Sequence, residues 1–174
     1  QPTRGSVLIS GIPTAGKSTY QVSQMGIART FQNIRLYNNL SVLDNVKVGM
    51  HNGIRENLAA AITHGFGFRK AEKQAEQAAM EMLDFFSLAD LAQAPAGSLP
   101  YGAQRRLEIV RALASGPLIL LLDEPAAGMN PSETLELMEN IRRIRDTFQI
   151  AILLIEHDMN LVMGICEGIC VLNY

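Results

Sequence analysis

Only two cysteines occur in the 174 residues, Cys166 and Cys170. A disulfide framework or a metal site would need more, so a buried, reduced pair suited to a reducing cytoplasm is expected. Charge of either sign is not in excess: 15 basic and 17 acidic residues leave a net −2. That balance gives no electrostatic footprint for nucleic acid or an anionic membrane surface. No run reaches the ~18 apolar residues of a spanning helix, and no signal-peptide pattern opens the chain. A role at a membrane is therefore expected to come through a partner. Internal repeats and low-complexity tracts are lacking too. What remains, 48% hydrophobic and 18% charged, is the composition of one globular domain with a sizeable core.

The stretch Gly11-Ile12-Pro13-Thr14-Ala15-Gly16-Lys17-Ser18-Thr19 fits G-x-x-x-x-G-K-[ST], the phosphate-binding loop. Val7 to Ser10 precedes it and reads as a short buried strand. Gly11 and Gly16 would let the backbone curl so that successive N–H groups face phosphate oxygens. A helix starting near Lys17 would aim its positive end at the same place. Lys17 would supply a cation for the β- and γ-phosphates, and the Ser18 hydroxyl a ligand for Mg²⁺.

Downstream, the helix from Ser18 to Gln24 closes at Gly26, and Ile27 to Phe31 reads as a strand ending at Gln32. Residues 41–115 then carry no strand-like runs. Ser41 caps a helix through Met50, and His51 to Gly67 reads as a loop with one short helix. Ala71, Ala75, Ala78, Met82 and Phe86 mark an amphipathic helix over 69–86. Gln93 to Pro100 is a linker, and a helix from about Gly102 ends at Ala114 before Ser115-Gly116-Pro117. The α/β pattern resumes with Leu118–Leu122, a continuous apolar run expected to be covered on both faces. Asn130-Pro131-Ser132-Glu133 is a helix start with a capping box, and Leu137, Met138, Ile141, Ile144 and Phe148 mark its buried stripe. Ile150–Ile155 is a second buried strand. A short helix from Asp158 and a strand over Gly168–Leu172 follow.

Asp123 and Glu124 close the first of those apolar strands, the pattern of a Walker B motif. Asp123 would hold Mg²⁺ through water, and Glu124 would polarise an attacking water. His157 ends the next strand and Gln32 an earlier one. In a parallel sheet all these ends converge on one edge, where His157 could reach a γ-phosphate and Gln32 the metal or water. The remaining features read more plainly. Arg142, Arg143 and Arg145 form a solvated face, His51 and His64 are exposed, and Met80 and Met82 pack their helix.

Four stretches resemble the ATP-binding-cassette (ABC) ATPases, most nearly the ATP-binding subunits of branched-chain amino acid importers. They are Arg29-Thr30-Phe31-Gln32-Asn33-Ile34-Arg35-Leu36, Leu99-Pro100-Tyr101-Gly102-Ala103-Gln104-Arg105-Arg106-Leu107-Glu108-Ile109, Leu122-Asp123-Glu124-Pro125-Ala126-Ala127-Gly128-Met129-Asn130-Pro131 and Leu154-Ile155-Glu156-His157-Asp158-Met159. The resemblance makes Gln32 the Q-loop residue, Leu99–Ala103 the signature motif, Asn130 the D-loop and His157 the switch histidine. It implies a head-to-tail dimer in which Tyr101 and Gly102 face the ATP of a second ATP-binding subunit. It also implies a permease contacted through the Q-loop and the helical region, with Leu36, Tyr37 and Leu40 as apolar contacts. The place of work would be peripheral, on the cytoplasmic face of the inner membrane.

Several departures stand out against that family. Pro100 replaces the signature serine and Ala103 the glutamine, which removes two polar contacts across the dimer. Pro13 and Thr14 stand where asparagine and glycine are usual. Only 15 positions separate Lys17 from Gln32, where the family has several tens, and the strands carrying an adenine-stacking aromatic are missing. A fragment, a recombined sequence or a designed chain is implied.

The expected fold is thus α/β: a P-loop NTPase with a mostly parallel sheet flanked by helices and an all-helical insertion. Residues 1–40 and 116–174 form the ATPase core and residues 41–115 the helical subdomain. Mg²⁺-assisted hydrolysis of ATP is the expected activity. The alternatives are a degenerate nucleotide-binding or interaction module without turnover and a small P-loop kinase, for which no acceptor-binding lid is evident.

Overall fold

The computed structural model of the chain describes residues 4–50 and 66–172. Two sheets form. Strands β1 (Leu8–Ile9) and β2 (Ile12–Pro13) make an antiparallel hairpin. Strands β3 (Ile27–Arg29), β4 (Ile119–Asp123) and β5 (Ala151–Ile155) make a separate parallel sheet with β4 in the middle. The helices are α1 (Thr19–Gln24), α2 (Val42–Met50), α3 (Phe66–Phe85), α4 (Tyr101–Leu113), α5 (Pro131–Phe148) and α6 (Met159–Ile165).

The parallel register pairs Ala28 with Leu120, and Leu120 with Ile152. It also sets Asp123 opposite Ile155, so the carboxyl ends of β4 and β5 lie side by side. On one face of β4, Leu120 and Leu122 are fully buried. They share a core with Leu107, Ile109 and Val110 of α4 and with Leu137, Ile141 and Ile144 of α5. The expected cover on both faces is only half realised: Ile119 and Leu121 are half-buried, and β5 exposes Leu153 (59%) and Ile155 (55%). Among the described residues no strand pairs with the other edge of β5.

Helices α2, α3 and α4 pack on one another, with Val42 and Val46 fully buried. Gly49 lets α2 close on α4: a Cβ there would stand 2.3 Å from the Arg111 carbonyl oxygen. The buried stripe of α3 and the turn after it is Ala79, Leu83 and Phe86, while Ala78 is exposed. The expected stripe is therefore displaced by one residue where alanines crowd. Asn45, also fully buried, ties the segment before α2 down: its amide nitrogen donates to the Tyr37 and Ser41 carbonyls, and Tyr37 N–H donates to its oxygen.

The capping box that opens α5 forms as read, with Glu133 N–H on the Asn130 side chain at 3.0 Å and Asn130 N–H on the Glu133 carboxylate at 2.9 Å. Asp158 caps α6 through its side chain alone, which accepts from Asn160 and Leu161 N–H.

Four expectations fail locally. Val7–Ser10 is not a buried strand of the parallel sheet; only Leu8–Ile9 is extended, and Val7 and Leu8 are exposed. Gly168–Leu172 forms no strand, and Val171 and Leu172 are 83% and 90% exposed, since no neighbouring strand offers hydrogen bonds there. The cysteines are not a buried pair: both are free, Cys166 half-buried and Cys170 exposed. The arginines of α5 are more than a solvated face. Arg142 donates to the Gly164 carbonyl, Arg145 pairs with Glu167, and Arg143 lies over the Phe85 ring at 4.3 Å. The expected loop over His51–Gly67 falls largely outside the described residues, as do His51 and His64; α3 already includes Phe66 and Gly67.

Candidate functional site: the carboxyl edge of the parallel sheet

Four of the residues singled out in the sequence lie at the carboxyl ends of the parallel strands. Asp123 is the last residue of β4 and Glu124 follows it. His157 lies two residues past β5 and Gln32 three past β3. The Gln32 amide nitrogen donates to Glu124 Oε2 at 2.7 Å, joining two strand ends across 92 residues of sequence. Glu124 adopts a left-handed backbone (φ +44°) while its N–H donates to the Ile155 carbonyl at 2.9 Å. A non-glycine residue held there costs about 1–3 kcal/mol and is concentrated at functional sites. The turn thus lifts the Glu124 side chain off the strand toward Gln32.

Asp123 is engaged differently. Arg29 Nη2 lies 2.6 Å from Asp123 Oδ2. Behind it, fully buried Thr30 accepts a hydrogen bond from Asp123 N–H at 3.4 Å, fixing the height of the two strand ends. The His157 side chain is 78% exposed, with its Nδ1 3.8 Å from Glu156 Oε2. Its position at the edge is set by Glu156, whose side chain is almost wholly buried. Glu156 accepts from Ala126, His157 and Asp158 N–H at 3.0, 3.0 and 3.4 Å, so one carboxylate binds the turn after β4 to the turn after β5.

The signature segment reaches this edge through α4. Pro100 occupies its N-cap and makes no side-chain cap. Tyr101 donates its hydroxyl to the Ala127 carbonyl at 2.8 Å, and Gly102 is buried beneath Glu133, whose Oε1 lies 3.0 Å from where a Cβ would be. One turn along, Arg105 and Glu108 form a fully buried pair at 2.9 Å. Arg105 donates to the Phe31 and Gln32 carbonyls at 2.7 and 2.8 Å; Glu108 accepts from Phe31 and Arg35 N–H at 3.5 and 3.2 Å. The Gln32 segment is therefore held by its backbone from α4 while its side chain holds Glu124.

Sequence reasoning passed over Arg29, Arg105, Glu108, Glu133 and Glu156 as site-building residues. A signal existed for the Arg105–Glu108 pair. Opposite charges three apart, flanked by Leu107, Ile109 and Val110 on one helix, must meet each other or backbone groups when both turn inward.

Residues Gly11–Thr19 lie elsewhere. Apart from half-buried Thr14 they are exposed, and Gly11 forms the turn of the β1–β2 hairpin rather than following a strand of the parallel sheet. The Ser18 hydroxyl caps α1 by accepting from Gln21 N–H at 3.2 Å. The three residues expected to share Mg²⁺, namely Ser18, Gln32 and Asp123, are thus each engaged with a protein group. Among the described residues no group of three or more histidine, cysteine or acidic side chains could hold a metal ion.

Residues 1–127 match the family model described as ABC transporter. Over 173 residues, or 99% of the chain, it is 42% identical to the high-affinity branched-chain amino acid transport ATP-binding protein LivG of Escherichia coli. It is 40% identical, over the same share, to the corresponding protein BraF of Pseudomonas aeruginosa. In each case it spans 68% of the relative's length. Among solved structures it superimposes on the ADP conformation of MJ1267, an ATP-binding cassette of an ABC transporter, with a TM-score of 0.73 and 27% identity over 93% of this chain and 63% of that one. The post-hydrolysis dimer of the cassette MJ0796 bound to ADP and Pi gives a TM-score of 0.75 at 24% identity, over 94% and 67%, a likeness of fold.

Proposed function

Because the chain belongs to the ABC transporter family, within which it is homologous to importer ATP-binding subunits, we propose that it serves ATP hydrolysis in an importer of branched-chain amino acids. The substrate is ATP as its magnesium salt. Glu124 orients a water molecule and draws on its proton as the water oxygen bonds to the γ-phosphorus and the bridging bond to ADP breaks. Gln32 and His157 sense the γ-phosphate at the same edge, and Asp123 stands beside them. The amino end of α4, with Tyr101 and Gly102, faces the nucleotide of a second subunit in a head-to-tail dimer. Closure is passed to a permease through Gln32 and the helices of residues 41–115. The protein works peripherally, on the cytoplasmic face of the membrane; no helix among the described residues is long and apolar enough to cross one.

The observation that carries this reading is the 2.7 Å hydrogen bond from Gln32 to Glu124. It puts the residue that would report to the permease in direct contact with the residue that would direct the water. The test is Glu124→Gln, which preserves an acceptor for Gln32 but abolishes the general base. Phosphate release should fall at least a hundredfold while ATP binding is retained. Equal release by both proteins would sink the proposal.

One reading competes. A nucleotide-binding or interaction module without turnover is favoured by the Arg29–Asp123 pair and by the missing cap at Pro100. It gives no phosphate release in either protein.

A further inference from the structure

We infer that Arg105 is a positioning residue: its buried guanidinium, braced on the Tyr101 hydroxyl, holds the Gln32 backbone so that the Gln32 side chain meets Glu124. This rests on the roles proposed above for Gln32 and Glu124, and it adds the residue through which the signature segment sets them.

The course of the chain after β3 is the first ground. Thr30 N–H makes the last bond to the sheet, to the Leu121 carbonyl at 2.9 Å. Over residues 31–36 no backbone group bonds to another backbone group among the described residues. A stretch without a ladder keeps one course only if side chains take up its donors and acceptors. Two side chains of α4 do so. Arg105 donates to the Phe31 and Gln32 carbonyls, and Glu108 accepts from Phe31 and Arg35 N–H. The Phe31 ring supplies no inward anchor, being 37% exposed with Arg35 over it at 4.4 Å.

Donor geometry is the second ground. Arg105 Nη1 serves the Phe31 carbonyl and Glu108 Oε2; Nη2 serves the Gln32 carbonyl and, at a longer 3.4 Å, the Tyr101 hydroxyl. Its remaining donor, Nε, is buried without a partner. The side chain thus gives up one bond, at a cost in stability, in the orientation that makes the other four. A planar fork can meet all four acceptors at once, whereas a lysine ammonium has three donors around one point. Glu108 makes the buried cation tolerable by pairing with it.

The two ends of this arrangement differ in access. Tyr101 is 44% exposed at the amino end of α4, and its hydroxyl also donates to the Ala127 carbonyl at 2.8 Å. At the other end the Gln32 amide reaches Glu124 at 2.7 Å. An exposed tyrosine is therefore linked through one buried guanidinium to the acid after β4.

The side-chain amide signal of Gln32 in the ¹⁵N-labelled, nucleotide-free chain tests this, with Glu124→Ala marking the position of a released amide. Arg105→Lys keeps a cation for Glu108 but loses the fork; Arg105→Met/Glu108→Leu leaves no buried charge unpaired. Dispersed amide signals elsewhere show that a variant is folded. In both variants the Gln32 signal should move most of the way to the released position. Tyr101→Phe should move it less, in the same direction, and should add nothing to Arg105→Lys. A Gln32 signal that stays in place in either folded Arg105 variant would overturn the inference. With Mg²⁺-ATP, Arg105→Lys should lower kcat for phosphate release by about tenfold or more while KM holds within about twofold. Adding Gln32→Ala should then cost nothing further. A raised KM at unchanged kcat, or two losses that multiply, would overturn it as well. A wild-type chain that releases no phosphate sinks the proposed function instead, and the nucleotide-free signals still decide the role of Arg105.

Discussion

Arg29 and Asp123 end neighbouring parallel strands and meet at 2.6 Å, so the acid that closes β4 is already paired with a cation from the strand beside it. Arg29 also lies 5.6 Å from the Phe31 ring. At 54% exposure of the arginine side chain the pair is open to solvent and salt.

Arg29→Met should therefore lower the unfolding free energy by only about 0.2–1 kcal/mol. Urea denaturation at low ionic strength would measure the loss. At 1 M salt, where the Debye length falls to about 3 Å, the difference from wild type should shrink toward zero.

The Arg105–Glu108 pair should behave in the opposite way. Both side chains are fully buried, and Arg105 Nε has no partner. Arg105→Met strands the Glu108 carboxylate and frees the Phe31 and Gln32 carbonyls; the expected loss is about 3–5 kcal/mol. The double variant Arg105→Met/Glu108→Leu should recover part of that loss. A double-mutant cycle by chemical denaturation reads the coupling, which salt should barely change.

Gly49→Ala tests the closeness of α2 to α4. Alanine would gain about 1 kcal/mol in helix propensity, yet its methyl would stand 2.3 Å from the backbone oxygen of Arg111. Backbone does not yield as a flexible side chain does, so overpacking should win and leave a net loss of about 1–3 kcal/mol. Thermal melting would record it as a lower Tm.

Asn130→Ala removes the side-chain acceptor of the α5 capping box. A loss of about 1 kcal/mol is expected, and Asn130→Asp should restore most of it, since its carboxylate also accepts from Glu133 N–H near the positive end of the helix. The same denaturation experiment distinguishes the two.

Much of this architecture could be read from the chain because local and tertiary signals agreed. Asn130-Pro131-Ser132-Glu133 names its own helix start, and the apolar runs of β4 and β5 read correctly as strands, although only β4 buries residues of its run. Around Gly11 the two kinds of signal disagreed. The motif fixes residue types at intervals, but a four-residue apolar run does not reveal whether its partner is parallel or antiparallel. Ser10-Gly11 between Leu8-Ile9 and Ile12-Pro13 was the hairpin signal. On α3, alanines at 75, 78 and 79 leave two faces nearly equal in hydrophobicity, and packing against α2 decides between them. The bonds that Arg105 and Glu108 make to the Phe31 backbone, and Glu156 to Ala126 N–H, join segments 30 or more residues apart, beyond the reach of any periodicity.

The open edge of β5 has a colloidal consequence. Five residues, Ala151 to Ile155, carry no charge and, among the described residues, leave a row of backbone donors and acceptors without a strand on that side. No lysine, proline or bulge blunts it, and Leu153 and Ile155 add apolar surface beside it. Such an edge recruits whatever strand reaches it first, including the same edge of another molecule. At high concentration the chain is therefore poised to precipitate through β5, and a single lysine at Leu153 would act as its gatekeeper.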